Sequence, residues 1–82
     1  MLSRQQILNE LNTIIQAHPE WGNGNSLTED SNFVLEGFDS LDKVEFFMEV
    51  EKHFHITISD VQAEKIETVK KLINTISSLI SA

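Results

Sequence analysis

Apolar residues recur at intervals of three and four in three separate stretches of this chain, and that spacing limits its fold more than any other feature. Ile7, Leu8, Leu11, Ile14 and Ile15 form one stripe, Phe46, Phe47, Val50 and Phe54 a second, and Val69, Leu72, Ile73, Ile76, Leu79 and Ile80 a third. Side chains three and four apart share a helix face, so each stretch predicts an amphipathic helix with one side to bury. A shorter helix is expected from Asp60 to about Lys65, with Asp60 as its cap and Val61, Ala63 and Ile66 available to bury. The one strand-like alternation, Ile56-Thr57-Ile58, has no partner strand, and it reads as an extended connector that buries its two isoleucines. Four helices that bury their stripes against one another predict an all-α, up-and-down four-helix bundle with a long first loop and a short third helix.

Local signals place the boundaries. Ser3 and Gln6 have the spacing of a capping box, with Leu2 and Ile7 positioned as a hydrophobic staple. The first helix should end before Pro19, because the residue preceding proline is pushed out of the helical region, which leaves His18 at the helix end. From Pro19 to about Asp39 runs a loop rich in Gly, Asn, Ser and acidic residues, with a turn at Asn23-Gly24. Trp21 and Phe33 are the expected anchors that fold it back onto the core, an exposed Trp21 serving as a contact residue being the alternative. Thr68 is placed to cap the last helix.

With 82 residues and no internal repeat or break in composition, residues 1–82 read as a single domain with a modest core. Thirteen acidic against six basic residues give a formal charge of −7, which argues against nucleic acid and for basic partner surfaces. Any thiol chemistry must come from an added group, since the chain has no cysteine. No apolar run approaches a membrane span, and the N-terminus lacks the pattern of a signal peptide. A monomer in the cytoplasm, without membrane insertion, is the expectation.

The stretch Gly37-Phe38-Asp39-Ser40-Leu41-Asp42-Lys43-Val44-Glu45 opens the second helix. Asp39 can serve as N-cap, with Ser40 at the first helical position and Asp42 at the third, so one hydroxyl stands where orphan N–H groups and the macrodipole favour an attached phosphate. Opposite the face of Phe46, Phe47, Val50 and Phe54 lies a second apolar strip, Leu41, Val44 and Met48. Asp42, Glu45 and Glu49 line one edge of it, and Glu51 lies on the other. Such a strip is either a docking surface, with apolar contacts for affinity and charges for steering, or it packs beneath a neighbouring loop.

Other chemistries fit less well. Asp30-x-Asn32 resembles the start of a calcium loop, but Val34 and Leu35 stand where a ligand and a turn glycine are needed. His53 and His55 point opposite ways in an extended segment and have no third ligand nearby, so no metal site is expected. Ser40 as a hydrolytic nucleophile would need a base, yet either histidine lies roughly 20 Å along a continuous helix, and G-x-S-x-G is absent.

Gly37-x-Asp39-Ser40-Leu41-Asp42-x-Val44-Glu45, followed by Met48, Glu51, Phe54, Ile56-x-Ile58-x-Asp60, Ala63-Glu64-Lys65-Ile66 and Thr68-Val69, resembles the acyl carrier proteins of fatty acid and polyketide synthesis. The likeness runs from about Phe33 to Ile76. It implies that the chain is no enzyme, and that Ser40, flanked by Asp39 and Leu41, carries 4'-phosphopantetheine taken from coenzyme A by a phosphopantetheinyl transferase. It also implies that Asp39, Leu41, Asp42, Val44, Glu45, Met48 and Glu51 face partner enzymes, among them acyl-loading and condensing enzymes with basic docking surfaces. The bundle of the family parts slightly to accept an acyl chain. Within the same class a D-alanyl or peptidyl carrier is the alternative, and in a different class an unmodified acidic helical interaction module.

Three departures from the family pattern stand out. Leu35-Glu36-Gly37 replaces the usual Asp-Leu-Gly, so that the burying role of the loop leucine passes to Leu35 or Phe38. Ser59 stands where many members have proline, and Phe46-Phe47 stand where aliphatic residues are common. Both rings are expected to point into the bundle and to leave little room for a long acyl tail.

Overall fold

In the computed structural model, which describes residues 2–81, the first helix begins where its capping box forms. The Ser3 hydroxyl accepts from the Gln6 N–H at 3.1 Å, and the Gln6 side chain accepts from the Ser3 N–H at 2.7 Å. From there α1 (Arg4–Gln16) runs to a cap at Ala17, two residues short of Pro19, and buries Ile7, Leu11, Ile14 and Ile15. Leu2 is exposed, so the expected staple with Ile7 adds little burial. The second helix, α2 (Ser40–Phe54), buries Phe46, Phe47 and Val50, with Phe54 partly covered. The last, α4 (Val69–Ser81), buries Val69, Leu72, Ile73 and Ile76, and Thr68 accepts from the Lys71 N–H at its start. No strand forms at 56–58. Ile58 is buried there and Ile56 partly so.

The third helix departs from expectation at its start and on its face. α3 (Asp60–Lys65) is capped by Ser59, not by Asp60. Ser59 has the extended backbone a cap requires, its hydroxyl accepts from the Gln62 N–H, and the Gln62 side chain returns a bond to the Ser59 N–H, both at 3.1 Å. Asp60 therefore becomes the first helical residue, where its charge still suits the dipole. Val61 is mostly exposed, because six residues offer too few turns to bury a full stripe. Burial falls instead to Ile58 and Ile66 at the two ends, with Ala63 partly covered between them.

The long first loop is fastened along its length. Trp21, Leu27, Phe33 and Phe38 are buried, and the Asn12 side chain on α1 bonds both the N–H and the carbonyl of Leu27 at 2.7 and 3.0 Å. Asn32 bridges to Thr68, and the N–H groups of Val69 and Lys70 donate to the carbonyls of Ser31 and Glu29. These bonds satisfy both the loop backbone and the open N-terminus of α4. The Arg4 guanidinium spans to the Glu29 carboxylate at 2.6 Å and to Asn74 at 2.6 Å, tying α1, the loop and α4 together.

Phe38, and not Leu35, takes the place of the missing loop leucine. Its ring lies 5.5 Å from Phe33 and 5.7 Å from Phe46 between centroids, while Leu35 faces solvent. Gly22 permits this arrangement: at its positive φ of 66°, a Cβ would sit 2.7 Å from the Phe38 ring and 2.8 Å from the Glu36 carbonyl.

Candidate functional site

Asp39 caps α2 as foreseen, in an extended conformation with φ −87° and ψ −179°. Its Oδ1 accepts from the Asp42 N–H at 2.8 Å, and Asp42 Oδ2 accepts from the Asp39 N–H at 3.3 Å. Immediately upstream, Gly37 turns the chain at φ 86°, the Phe38 N–H donates to the Phe33 carbonyl, and the Phe38 ring is fixed in the core. Ser40 is thus held on both sides and stands exposed as the first residue of α2. Asp42's N–H is spent on the cap, and the first-turn N–H groups of Ser40 and Leu41, both exposed residues, have no partner within the helix. An anionic ester on the Ser40 hydroxyl would meet those donors and the positive end of a 15-residue helix. The residues present therefore fit a phosphate-linked group.

The histidines are elsewhere. His55 is the left-handed C-cap at the other end of α2, and His53 pairs with Glu10 of α1 at 3.1 Å. His18 stacks on Trp21 with centroids 4.2 Å apart. Among the described residues no cluster of His, Cys, Asp and Glu has the makings of a metal site. Asn32 Oδ1 is occupied by the N–H groups of Val34 and Leu35. No helix among these residues is long and apolar enough to cross a membrane.

Leu41, Val44 and Met48 are each more than half exposed, so no loop packs over the second strip of α2. Of the acidic residues beside it, Glu45 is exposed, Asp42 and Glu49 are partly covered, and Glu49 lies 3.6 Å from Lys52. Two of these carboxylates have structural bonds that the sequence did not announce. Glu51 Oε2 accepts from the Ile58 N–H at 2.9 Å, anchoring the connector that leads into α3, and Glu45 Oε1 accepts from the Trp21 indole N–H at 3.3 Å.

Between α2 and α3 opens a groove of about 580 Å³ with Ser40 at its rim. Val44, Phe47, Met48, Ile58 and Ala63 supply its apolar surface, and Lys43, Glu51, Asp60 and Glu64 its charges. The two adjacent rings of α2 therefore part company. Phe46 is wholly enclosed against Trp21, Phe33 and Phe38, whereas Phe47 is buried but lines the groove. Asp60 and Glu64, four apart on α3, carried a signal for this wall in their spacing, since residues at that interval share a helix face.

Residues 5–76 match the family described as the phosphopantetheine attachment site. The chain is 35% identical over 82 residues to an acyl carrier protein of Cyanidium caldarium, covering 99% of this chain and 94% of that protein. It is 36% identical over 78 residues to an acyl carrier protein of Lactobacillus acidophilus, covering 94% and 96%. The fold superposes on the crystal structure of an acyl carrier protein from Thermotoga maritima with a TM-score of 0.84 at 26% identity, over 95% of this chain and 91% of that one.

Proposed function

This chain belongs to the acyl carrier protein family, and from that premise we propose that Ser40 is its attachment site for 4'-phosphopantetheine and that the exposed strip of α2 docks its partner enzymes. The observation that carries the reading is the exposed Ser40 hydroxyl at the first position of a helix whose cap is fixed from both sides. When bound, the group supplies the thiol that this cysteine-free chain lacks, and acyl intermediates are held on it as thioesters. Asp39 holds the end of α2 by accepting from the Asp42 N–H, and the first-turn N–H groups of Ser40 and Leu41 would be the donors available to an ester phosphate there.

Docking divides between two kinds of contact. Leu41, Val44 and Met48 give apolar area, and Asp42, Glu45 and Glu49 steer basic surfaces toward it. Glu51 borders the strip and also holds the connector to α3. The partners are the phosphopantetheinyl transferase and the acyl-loading and condensing enzymes, with no nucleic acid and no membrane among them. The chain works as a single carrier domain over residues 1–82, as a monomer in the cytoplasm. It is no catalyst by itself, because Ser40 and the histidines of α2 lie at opposite ends of that helix.

The groove bears on the cargo. Its charged residues and the Phe47 ring favour short or polar chains over long aliphatic ones, and they keep a D-alanyl or peptidyl carrier as the second reading. Incubation with coenzyme A and a phosphopantetheinyl transferase tests the attachment. The wild type should gain the mass of one phosphopantetheinyl group and the Ser40→Ala variant none; an unmodified wild type leaves an acidic interaction module as the better account.

A further inference from the structure

Val34 and Leu35 are the most exposed large aliphatic residues in the described chain, at 76% and 80%. They do not sit on a loose segment. Asn32 Oδ1 accepts from both of their N–H groups, at 2.9 and 3.2 Å, the Glu36 N–H returns to the Asn32 carbonyl, and the Gly37 N–H donates to the Val34 carbonyl at 3.1 Å. Asn32 itself is bridged to Thr68 at the start of α4. The core beneath this turn is already filled by Phe33 on one side and Phe38 on the other, so folding has no use for two more branched side chains. A rigid apolar pair held in water is characteristic of a contact surface.

We propose that Val34 and Leu35 form a ridge that docks the enzyme acting on the Ser40 hydroxyl itself, through an apolar cleft bordered by Lys and Arg. The proposal rests on the reading of Ser40 as the attachment site. Charge selects the kind of partner. Asp30, Glu36, Asp39 and Asp42 flank the ridge along the chain, and the formal charge is −7, so a second copy would bring like charges together whereas a basic rim would complement them.

Position selects which partner. The cap at Asp39 and the bond from the Phe38 N–H to the Phe33 carbonyl seat this turn directly ahead of Ser40. In the loading reaction Ser40 Oγ gains a bond to phosphorus, the pyrophosphate bond of coenzyme A breaks, adenosine 3',5'-bisphosphate leaves, and the hydroxyl proton passes to a base of the transferase. An enzyme doing this must bring its reacting atoms against Oγ and so covers the adjoining turn. Enzymes that act on cargo at the end of the arm meet the strip of α2, but none of their reacting atoms has to reach Oγ itself.

The test compares two steps in the Val34→Ser, Leu35→Ser double variant and the wild type, after equal thermal unfolding has shown both to be folded. With the organism's own phosphopantetheinyl transferase, kcat/KM for loading should fall about tenfold, mainly through KM. Once both proteins are fully loaded with excess transferase, thioester formation with octanoate and ATP by an acyl carrier protein ligase should differ less than twofold. Unchanged loading overturns the ridge, and equal losses in both steps overturn its assignment to the transferase. A wild-type dimer in sedimentation that the variant lacks overturns it in favour of self-association. Failure of the underlying reading is recognised separately, as a wild type that gains no mass.

Discussion

The indole N–H of Trp21 donates to Oε1 of Glu45 at 3.3 Å, so the buried anchor of the long loop holds a carboxylate of the proposed docking strip. Trp21 is itself wedged between His18, stacked at 4.2 Å, and Phe46 at 5.7 Å. A carboxylate whose rotamer is already fixed loses less entropy on meeting a partner's cation, and its second oxygen stays open to that cation. Trp21→Phe keeps a ring but removes the donor. It should slow transferase loading about two- to fivefold at low ionic strength and have no further effect in a Glu45→Gln background. Initial rates for the two single variants and the double variant check this, and an undiminished effect of Trp21→Phe beside Glu45→Gln would show that the indole acts through stability alone.

Charge and apolar contact on α2 should separate by their salt response. Glu45→Lys should slow association with the transferase, and the deficit should shrink as salt rises, since screening removes steering between exposed charges. Met48→Ala should weaken binding with little dependence on salt. Association rates by stopped flow at several ionic strengths distinguish the two; a Glu45→Lys rate equal to wild type at low salt reduces the acidic edge to a solvated face.

Because the chain has no cysteine, thiol titration reports the prosthetic group without background. Holo protein should show one titratable thiol per chain, and Ser40→Ala carried through the same transferase reaction should show none. A thiol in Ser40→Ala would move the site to another hydroxyl.

Much of this arrangement is written locally. The caps at Ser3, Asp39 and Thr68, the end of α1 before Pro19 and the buried stripes of α1, α2 and α4 depend on residues within one or two turns of each other. The sequence reading failed at the start of α3, where Ser59 takes the cap expected of its neighbour Asp60, and it left a choice open above the core, between Leu35 and Phe38. It was silent where a bond joins distant segments. Glu51 reaches Ile58 across the turn after α2, Asn12 brackets Leu27 fifteen residues on, and Trp21 meets Glu45 twenty-four residues away. No local pattern distinguishes those carboxylates and amides from solvated ones.

Stability should depend on pH through Glu29. Its carboxyl is held below its ordinary value, chiefly by the hydrogen bond from the Arg4 side chain, against a smaller opposing effect of burial. A depressed folded-state value means that the contribution is fully present above the unfolded value, near 4.5, and is lost as pH falls through the folded one. Glu29→Gln should therefore melt below wild type at neutral pH, with the gap closing in acid, where wild-type Glu29 is itself uncharged. A gap that persists unchanged at the acid end would assign the loss to geometry and not to charge.

The two rings of α2 should respond differently to cargo. Phe46 is fully enclosed by other aromatic side chains, and Phe47 is buried at the wall of the groove that begins at Ser40. Truncating either to alanine should cost about 3–5 kcal/mol, a large share of the stability of so small a domain. The cavity left by Phe47→Ala opens onto the groove, so an attached long acyl chain can fill it and restore part of the loss, as a ligand of the folded state alone does. The cavity left by Phe46→Ala is walled off by Trp21, Phe33 and Phe38 and should be rescued less. Thermal unfolding of holo and hexadecanoyl forms of wild type and both variants makes the comparison. If acylation raises the melting temperature of wild type as much as that of Phe47→Ala, the ring does not limit the groove, and cargo length is set elsewhere.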